Sequence, residues 1–377
     1  MKYFELILLN IVKAIDFIVP KRKNGIIFYS YPDFSDNCRA MYDELVHQGR
    51  DKDYHITWVV RDVKKYRERY EGIRFVKHRS LSSLWAFCRS HYIIRTHSFW
   101  GNKYIPGRQV MVVAWHGMLI KGFNYSEKGT FPHNGHDHFC VTSPLFQRLF
   151  SEMMDTDEKR FDITGLPRND YLFEPATDLK SKMKIDKYEK IIIWMPTFRS
   201  YGNDSLDGVS SESGLPTLEI GDLDIINTEL HKKNYLLLIK LHPWAKECVG
   251  EIKFTNIKEV MLTDIPEPYT LYHLLSQTDA MISDYSSVYG DYLLTDKPIG
   301  FAFNDLEEYK KSRYIPLSPL EDYMPGMKIR NKNDLIDFFN SLDEDKYKDE
   351  RKKIRDLFLV DQDGDSSERF LKAVGIL

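Results

Sequence analysis

Short apolar runs alternate with segments of helical periodicity along most of the 377-residue chain. Apolar runs of this length are typical of buried strands in parallel sheets. They occur at residues 26–30, 55–60, 92–94, 109–114, 190–195, 235–239 and 280–282. Helix-compatible segments such as 36–45 and 81–89 lie between them. Strands that alternate with helices predict an α/β fold, with helices on both faces of a parallel sheet.

This alternation falls into two halves of similar size. Between the halves, residues 155–185 are rich in charge and include Pro167 and Pro175, which is typical of a crossing between domains. We therefore predict a helix and basic cluster at 1–23, an N-terminal domain at 24–160 and a C-terminal domain at 161–377.

The first segment, residues 2–19, places apolar side chains at helical spacing, and Pro20 ends the pattern directly before Lys21–Lys23. An amphipathic helix beside a basic cluster suits the surface of an anionic membrane. The apolar positions also cover more than a narrow stripe, as in a helix docked on the protein's own core. The sequence leaves both interpretations open.

The composition excludes several classes of protein. Hydrophobic residues make up 42% of the chain and charged residues 29%, which indicates a folded protein. A net charge of -3 argues against a nucleic-acid binder. The four cysteines form no C-x-x-C pair, so neither a zinc motif nor a redox motif is indicated and a reducing cytoplasm is expected. No apolar run is long enough to cross a bilayer.

Residues suited to phosphate binding or proton transfer follow several of the predicted strands. They are His116, Arg168, Thr197 with Arg199, Lys240 with His242, and Ser286 with Ser287. The last pair belongs to Ser283–Ser287, an elbow between a strand and a helix where free N–H groups and hydroxyls form an anion site. Taken alone, such an elbow is most often only a helix cap, with Asp284 or Ser286 as the capping residue. The convergence of these residues favours phosphate chemistry.

Two histidines have distinct expected roles. His116 is the better general base, because Gly117 beside it lets a substrate approach closely, whereas His242 is the better hydrogen-bond donor to phosphate. A structural role for either histidine stays open at this stage. A metal site at His133, His136 and His138 is disfavoured, since no fourth ligand follows at a standard spacing.

Taken together, the motifs resemble the CDP-glycerol glycerophosphotransferase family of teichoic acid and capsule synthesis. The motifs are Ser35-Asp36-Asn37-x-Arg39-Ala40, Trp115-His116-Gly117 with Lys121, Gly165-Leu166-Pro167-Arg168-Asn169-Asp170, Pro196-Thr197-Phe198-Arg199, Leu241-His242-Pro243, Ser283-Asp284-Tyr285-Ser286-Ser287 with Asp291, and Asp363-Gly364-Asp365-Ser366-Ser367-Glu368-Arg369. The resemblance covers nearly the whole chain.

The resemblance implies a GT-B fold, in which two Rossmann-like domains face each other across a cleft. Its catalytic histidine corresponds to His116, as base for the acceptor hydroxyl, and its second important histidine to His242. Substrate contacts are implied for Trp115, Gly117, Lys121, Arg168, Pro196, Thr197, Arg199, Lys240, Leu241, Ser286, Ser287 and Asp291. Neither a metal nor a cofactor is expected. The sequence departs from the family at Met118-Leu119-Ile120, where Thr-Pro-Leu is usual, which puts the acceptor and the donor's polyol in question.

The resulting hypothesis is transfer of glycerol phosphate from CDP-glycerol to a hydroxyl of a lipid-linked saccharide or growing polymer, with release of CMP. A ribitol phosphate transferase that uses CDP-ribitol is the nearest alternative. A GT-B glycosyltransferase that uses a nucleotide sugar and a non-catalytic nucleotide-binding scaffold are more distant ones. The expected location is the cytoplasmic face of the cell membrane, with an anionic membrane surface as a partner and no nucleic acid. A homo-oligomer is compatible with the sequence.

Overall fold

The computed structural model describes residues 2–99, 108–118, 120, 135–197, 215–219, 221–241, 253–312 and 314–377. In these ranges the strands are β1 (Arg22–Tyr29), β2 (His55–Val60), β3 (Arg74–Lys77), β4 (Ser90–Arg95), β5 (Val110–Val113), β6 (His138–Val141), β7 (Phe161–Ile163), β8 (Lys190–Trp194), β9 (Tyr235–Ile239), β10 (Ile257–Glu259), β11 (Ala280–Ser283), β12 (Ile299–Ala302) and β13 (Met327–Ile329).

The helices of the same ranges lie between and after these strands. They are α1 (Lys2–Ile18), α2 (Asp36–His47), α3 (Val63–Arg67), α4 (Leu81–Arg89), α5 (Pro144–Met154), α6 (Leu179–Lys182), α7 (Asp222–Lys233), α8 (Leu271–Gln277), α9 (Val288–Tyr292), α10 (Leu306–Ser312), α11 (Lys332–Asn340), α12 (Lys348–Phe358) and α13 (Ser366–Val374).

The strands form two separate parallel sheets. The first has the order β3-β2-β1-β4-β5-β6-β7 and the second the order β10-β9-β8-β11-β12-β13. All neighbouring strands in both sheets pair in parallel. In each sheet the order reverses after the first strand in sequence, which is the doubly wound order of Rossmann-like domains. The predicted α/β class with two such halves is confirmed.

The apolar runs become strands because each half buries them on both faces of its sheet. β9 and β11 are buried along their whole length, and β8 is buried from Ile191 onwards. The core of the second sheet includes Trp194, Leu237 and Ile282, none of which is exposed. A strand buried on both faces needs apolar side chains at every position, which explains why continuous runs located these strands in the sequence.

The chain divides into two compact units, one around each sheet. The first unit comprises Met1–His116, Glu127–Asp170 and Val360–Leu377, and the second comprises Gly117–Ser126 and Tyr171–Leu359. The predicted border between residues 160 and 161 therefore differs from the observed one by ten residues. The predicted C-terminal domain also included the last 18 residues, which the structure assigns to the first unit.

The C-terminal segment joins the first unit through backbone hydrogen bonds to one carboxylate. Asp170 accepts hydrogen bonds from the N–H groups of Ser366 and Ser367, at 2.9 and 2.7 Å, in the first turn of α13. These donors have no partner inside the helix, so the carboxylate satisfies them and interacts favourably with the helix dipole. The motifs that begin at Gly165 and Asp363 thus meet at this contact.

Helix α1 combines features of both interpretations of the N-terminal segment. In its described C-terminal half, Val12 and Asp16 are buried, and Asp16 forms an ion pair with Lys21. Lys21 also donates to the Cys88 carbonyl at 2.7 Å, which ties the end of α1 to α4. Phe17 and Ile18, in contrast, are 64% and 78% exposed. No helix in the described ranges is long and apolar enough to span a bilayer.

Candidate active site

Several of the sequence-predicted site residues in the described ranges lie at the carboxyl ends of strands, where ligands bind in doubly wound sheets. In the first unit, His116 follows β5. In the second unit, Thr197 follows β8, Lys240 follows β9, and Ser286 follows β11. β8 and β11 are the neighbours between which the strand order reverses, so Thr197 and Ser286 lie at the switch point of the second sheet.

His116 is exposed, and it follows the carboxyl end of β5, a central strand of the first sheet. Its Nδ1 lies 3.4 Å from the carbonyl oxygen of Thr96, and its ring stacks on His97 with 4.7 Å between ring centroids and an angle of 15°. Thr96 also contacts Nδ1 of His97 through its hydroxyl, at 2.8 Å. If Nδ1 of His116 carries the proton that faces the carbonyl, Nε2 is left as the proton acceptor, the form that a general base needs.

Protein atoms around the His116 ring remove part of its hydration, although the residue as a whole is exposed. This desolvation lowers the pKa of His116 to about 4, with His97 as the next cause. Asp36 acts in the opposite direction and Arg168 in the same direction. His116 is therefore neutral at physiological pH, which is the protonation state required to accept a proton from a hydroxyl.

The loop that carries His116 is fixed by Asn37 and Arg168. The side-chain amide of Asn37 donates to the carbonyl of Trp115 and its oxygen accepts from the N–H of Arg168 at 2.9 Å. The guanidinium of Arg168 forms an ion pair with Asp36 at 2.9 Å. Asp36 has a φ of +60°, an uncommon conformation for a residue with a side chain. This network makes the predicted substrate residue Arg168 a support of the His116 loop, and its predicted contact with substrate stays a prediction.

The turn after Trp115 and His116 requires a glycine. Gly117 adopts a φ of +146°, a region that residues with a Cβ atom rarely enter. Trp115 itself is half-buried and packs its ring 5.5 Å from that of Phe139. The Trp-His-Gly motif thus contains an anchored ring, an exposed imidazole and a backbone turn.

In the second unit, Thr197 and Asp284 connect the ends of β8 and β11. Asp284 accepts hydrogen bonds from the N–H of Thr197 at 2.8 Å and from its hydroxyl at 2.6 Å. The first residue of α9 is preceded by Ser287, which caps the helix without a side-chain hydrogen bond. The structure places Ser287 at the capping position, and the carboxylate of Asp284 accepts hydrogen bonds from Thr197. The predicted contact of Ser286 and Ser287 with a substrate stays a prediction.

Lys240 follows β9, the neighbour of β8, and its ammonium group has no hydrogen-bond partner among the described residues. The ammonium group of Lys240 is largely surrounded by protein, which lowers its pKa from the ordinary 10.5 through desolvation. Leu241 next to it is buried, whereas Pro196, Ser286 and Ser287 are half-buried. A cation held out of water without a carboxylate is destabilised in the absence of an anion. This arrangement suits a phosphate ligand.

Asp291 has a different environment from the other predicted substrate residues. It is 1% exposed, and its Oδ2 accepts a hydrogen bond from the hydroxyl of Tyr272 at 2.6 Å. This contact links α9 to α8. Asp291 therefore helps to hold α9, the helix that follows Ser286 and Ser287, against α8. Its direct contact with a substrate stays a prediction.

Three predicted site residues, Lys121, Arg199 and His242, lie outside the described residues. His133 of the disfavoured metal site lies outside them too. Within the described ranges, no group of three or more His, Cys, Asp or Glu side chains could hold a metal ion.

Sequence reasoning missed His97 and its neighbour Thr96. Both follow β4, whose core at residues 92–94 was predicted as a strand, so the rule that pointed to His116 also applied here. The signal was overlooked because His97 belongs to none of the motifs that carry the family resemblance.

The model of the CDP-glycerol:poly(glycerophosphate) glycerophosphotransferase family matches residues 11–375. The chain belongs to this family. Its members are transferases, which confirms the predicted enzyme class and the predicted family.

Curated relatives cover almost the whole chain. The chain is 28% identical to the teichoic acid ribitol-phosphate polymerase TarK of Staphylococcus aureus, over 93% of this chain and 68% of the relative. It is 26% identical to a teichoic acid ribitol-phosphate primase of Bacillus spizizenii, over 95% of this chain and 92% of the relative. A teichoic acid poly(glycerol phosphate) polymerase of Bacillus spizizenii is 25% identical, over 99% of this chain and 98% of the relative.

Among solved structures, the wall teichoic acid polymerase TagF matches with a TM-score of 0.77 at 20% identity, covering 99% of this chain and 95% of that chain. At this identity the match shows the fold. The predicted GT-B type with two Rossmann-like domains is confirmed.

Proposed function

We propose that the protein transfers a polyol phosphate from a CDP-polyol to a hydroxyl group of a lipid-linked saccharide or growing poly(polyol phosphate) chain. CDP-glycerol is the donor to test first and CDP-ribitol is the alternative, since the relatives include polymerases of both kinds. The observation that carries the proposal is His116, an exposed and neutral imidazole at the carboxyl end of a central strand in a chain of this family.

In the proposed reaction, Nε2 of His116 takes the proton of the acceptor hydroxyl. The hydroxyl oxygen then attacks the phosphorus that carries the polyol, and the bond from this phosphorus to the bridging oxygen of the diphosphate breaks. The bridging oxygen and its electron pair leave with CMP. The new bond is a phosphodiester between acceptor and polyol. The leaving group gains negative charge, so its stabilisation is the main electrostatic requirement.

The second unit offers the groups that suit this charge. Lys240 brings a cation without a carboxylate partner in the described residues, and Ser286 and Ser287 bring hydroxyls. Thr197 is oriented by Asp284. We assign these residues to the diphosphate of the donor, and we retain Arg199, His242 and Lys121 as predicted contacts on the sequence motifs alone.

The membrane surface is a proposed partner as well, and the cytoplasmic face of the membrane a proposed location. The side chains of Phe17 and Ile18 at the end of α1 are exposed, and the exposed basic residues Arg22 and Lys23 follow them closely in the sequence. Apolar side chains insert into the acyl boundary while the basic residues attract anionic headgroups. An attachment of this kind would bring a lipid-linked acceptor to the enzyme.

The test is CMP release by purified protein with a lipid-linked acceptor and, in separate reactions, CDP-glycerol, CDP-ribitol and UDP-N-acetylglucosamine. We expect release from one CDP-polyol, at a rate that depends on acceptor. His116→Ala should lower this rate by at least about 1,000-fold while donor binding, measured by calorimetry, stays within twofold. His47→Ala, at an exposed histidine of α2, is the matched control.

Two results would contradict the proposal. One is the absence of CMP release from both CDP-polyols together with turnover of the nucleotide sugar. The other is full turnover by His116→Ala, which would remove the proposed base.

A further inference from the structure

A cavity of about 240 Å³ opens beside His116 within the first unit. Among its lining residues, His116 and Ser98 are exposed, His97 is half-buried, and His136 and Thr156 are buried. The cavity therefore leads from the proposed base into the interior of the unit. A substrate group bound in this cavity could place a hydroxyl next to His116.

Among the described lining residues, His136 contributes a ring nitrogen without a hydrogen-bond partner. His136 is 6% exposed, and its Nε2 is buried without a hydrogen-bond partner among the described residues. An unsatisfied buried polar atom costs about 1–3 kcal/mol, so its retention calls for a ligand or an ordered water molecule. The hydroxyl of Thr156 donates to the Met154 carbonyl at 3.1 Å and keeps its capacity to accept.

The rest of the lining is apolar or already engaged. Val113, Phe139 and Met154 contribute carbon atoms. The guanidinium of Arg95 donates to the carbonyls of His97 and Gly135, at 3.3 and 3.4 Å. No aspartate or glutamate belongs to the lining in the described part of the chain.

From this lining we infer that the cavity is the acceptor subsite for an uncharged polyhydroxy group, the terminal polyol of the acceptor chain. His136 Nε2 and the Thr156 hydroxyl would bind its secondary hydroxyls, and the apolar side chains would contact its carbon chain. The phosphodiester that joins this polyol to the rest of the acceptor would stay outside the cavity. The outer hydroxyl would then lie at His116 as the nucleophile. The inference rests on the proposed function, and it adds the location and the chemistry of acceptor recognition.

A polyol fits this lining better than a phosphate group does. Desolvation lowers the pKa of His136 to about 3, lowers that of His97 as well, and is the main reason for the pKa of about 4 at His116. Three neutral imidazoles form hydrogen bonds with hydroxyls but do not neutralise a dianion. Among the described lining residues the fixed cation is Arg95, whose guanidinium donates to backbone carbonyls.

Ligand binding without turnover gives the first test. The imidazole signals of the full-length protein, assigned by single substitutions, are followed by NMR during titration with glycerol, ribitol and inorganic phosphate. We expect glycerol or ribitol to shift the signals of His136 and His97 and to leave His138 unchanged, since His138 faces Asp162 at 3.0 Å and does not line the cavity. Shifts with phosphate alone, or with neither polyol, overturn the inference.

Kinetics give the second test. His136→Phe keeps an aromatic ring between Phe139 and Phe161, its neighbours at 5.3 and 5.2 Å, and removes both ring nitrogens. We expect the KM for acceptor to rise about tenfold, the effect of one lost hydrogen bond, while the KM for donor stays within twofold. His138→Phe, with both KM values unchanged, is the matched control.

The two proposals fail in different ways. An equal rise of the KM values for donor and acceptor in His136→Phe, or no change in either, overturns the subsite while CMP release still supports the transferase. Absence of CMP release from the wild type contradicts the transferase, and the polyol titration then still decides whether the cavity binds polyols.

Discussion

Asp284 holds Thr197 through two hydrogen bonds, one to the backbone N–H at 2.8 Å and one to the hydroxyl at 2.6 Å. The two residues follow β8 and β11, the strands between which the order of the second sheet reverses. The carboxylate of Asp284 thereby joins the segments that follow these two strands, which is the place where doubly wound sheets bind their ligands.

Substitution Asp284→Ala should therefore affect both stability and donor binding. The change leaves two donors of Thr197 without their acceptor, which should lower the free energy of unfolding by about 2 kcal/mol. The loss is not larger, because Thr197 is half-buried and water can hydrate part of it. It also frees the loop, so the KM for donor should rise at least tenfold. Urea unfolding and donor titration measure the two effects.

Asp279→Ala is the matched control for this prediction. Asp279 accepts from the N–H of Ile191 at 2.8 Å and joins the same two strands at their opposite ends. We expect a loss of stability and an unchanged KM for donor. If both variants raise the donor KM equally, the effect comes from the sheet as a whole and not from the crevice.

Lys240 should be more important for ligand binding than for stability. Its ammonium group lacks a hydrogen-bond partner among the described residues, and desolvation lowers its pKa. Lys240→Met removes a charge whose burial is unfavourable, so the melting temperature should stay equal or rise, while donor affinity falls about 10- to 100-fold. Calorimetry with the donor and thermal unfolding are the measurements.

Lys297 provides the contrast, because it is also buried enough for desolvation to lower its pKa. Its ammonium group donates to the carbonyls of Ser276 and Thr278, at 2.6 and 2.7 Å. Lys297→Met should lower stability and leave donor affinity unchanged. A result in which Lys240→Met destabilises the protein as much as Lys297→Met does would argue for a structural Lys240.

These contacts show where sequence reasoning succeeded and where it stopped. Buried parallel strands are continuous apolar runs, so their positions and the strand-end residues were predictable. The start of β1 at Arg22 was not, since its first residues are polar and exposed. The ion pair of Arg168 with Asp36 joins residues 132 positions apart, and no local pattern encodes such a partner.

The sequence also did not predict that the C-terminal segment, Val360–Leu377, belongs to the first unit. This placement depends on Asp170, which lies 196 positions before Ser366. The same contact explains Gly165, whose φ is +79° and whose Cβ, if present, would lie 2.4 Å from the Ser366 hydroxyl. The sequence contained this glycine within a motif, but only the fold provides the physical reason for it.

Gly165→Ala should accordingly destabilise the first unit by about 2–4 kcal/mol, from backbone strain together with the displaced Ser366. Gly375→Ala is the matched control, since Gly375 has a φ of +80° and nothing would lie within 4 Å of its Cβ. We expect that variant to lose only about 1 kcal/mol. Equal losses in urea unfolding would show that contact with Ser366 contributes nothing.

Membrane attachment can be tested without deleting α1. Removal of residues 1–20 would leave Lys21, whose side chain is 8% exposed, without Asp16, and would destabilise the protein whatever α1 binds. Phe17→Ser with Ile18→Ser changes only exposed side chains. We expect this double variant to lose most of its sedimentation with vesicles of phosphatidylglycerol and phosphatidylcholine, at an unchanged melting temperature.

Phe173→Ser, at an exposed phenylalanine of the second unit, should retain the sedimentation of the wild type. Val12→Ala, at a fully buried position of α1, should lower the melting temperature. Wild-type protein that does not sediment with anionic vesicles would leave α1 as a helix docked on its own unit.

The pH dependence of the reaction should reveal the low pKa of His116. A base with a pKa of about 4 is unprotonated from pH 8 down to about pH 5, so kcat/KM for the acceptor should be flat over this range. Below the pKa the protonated fraction grows, and the rate should fall about tenfold per pH unit. An ordinary histidine, with a pKa near 6.5, would already lose activity below pH 6.5.

The donor changes this picture in a predictable direction. The proposed reaction requires the diphosphate of the donor to lie near the His116 ring. Its negative charge would favour the imidazolium form, so the pKa in the complex should lie above that of the free enzyme. Because kcat reports the complex and kcat/KM the free enzyme, the acid limb of kcat should lie at higher pH. Donor affinity is measured at each pH, since the cytosine base titrates in the acid range. An acid limb of kcat/KM near pH 6.5 would mean that His116 is more hydrated in solution than its stacked position implies.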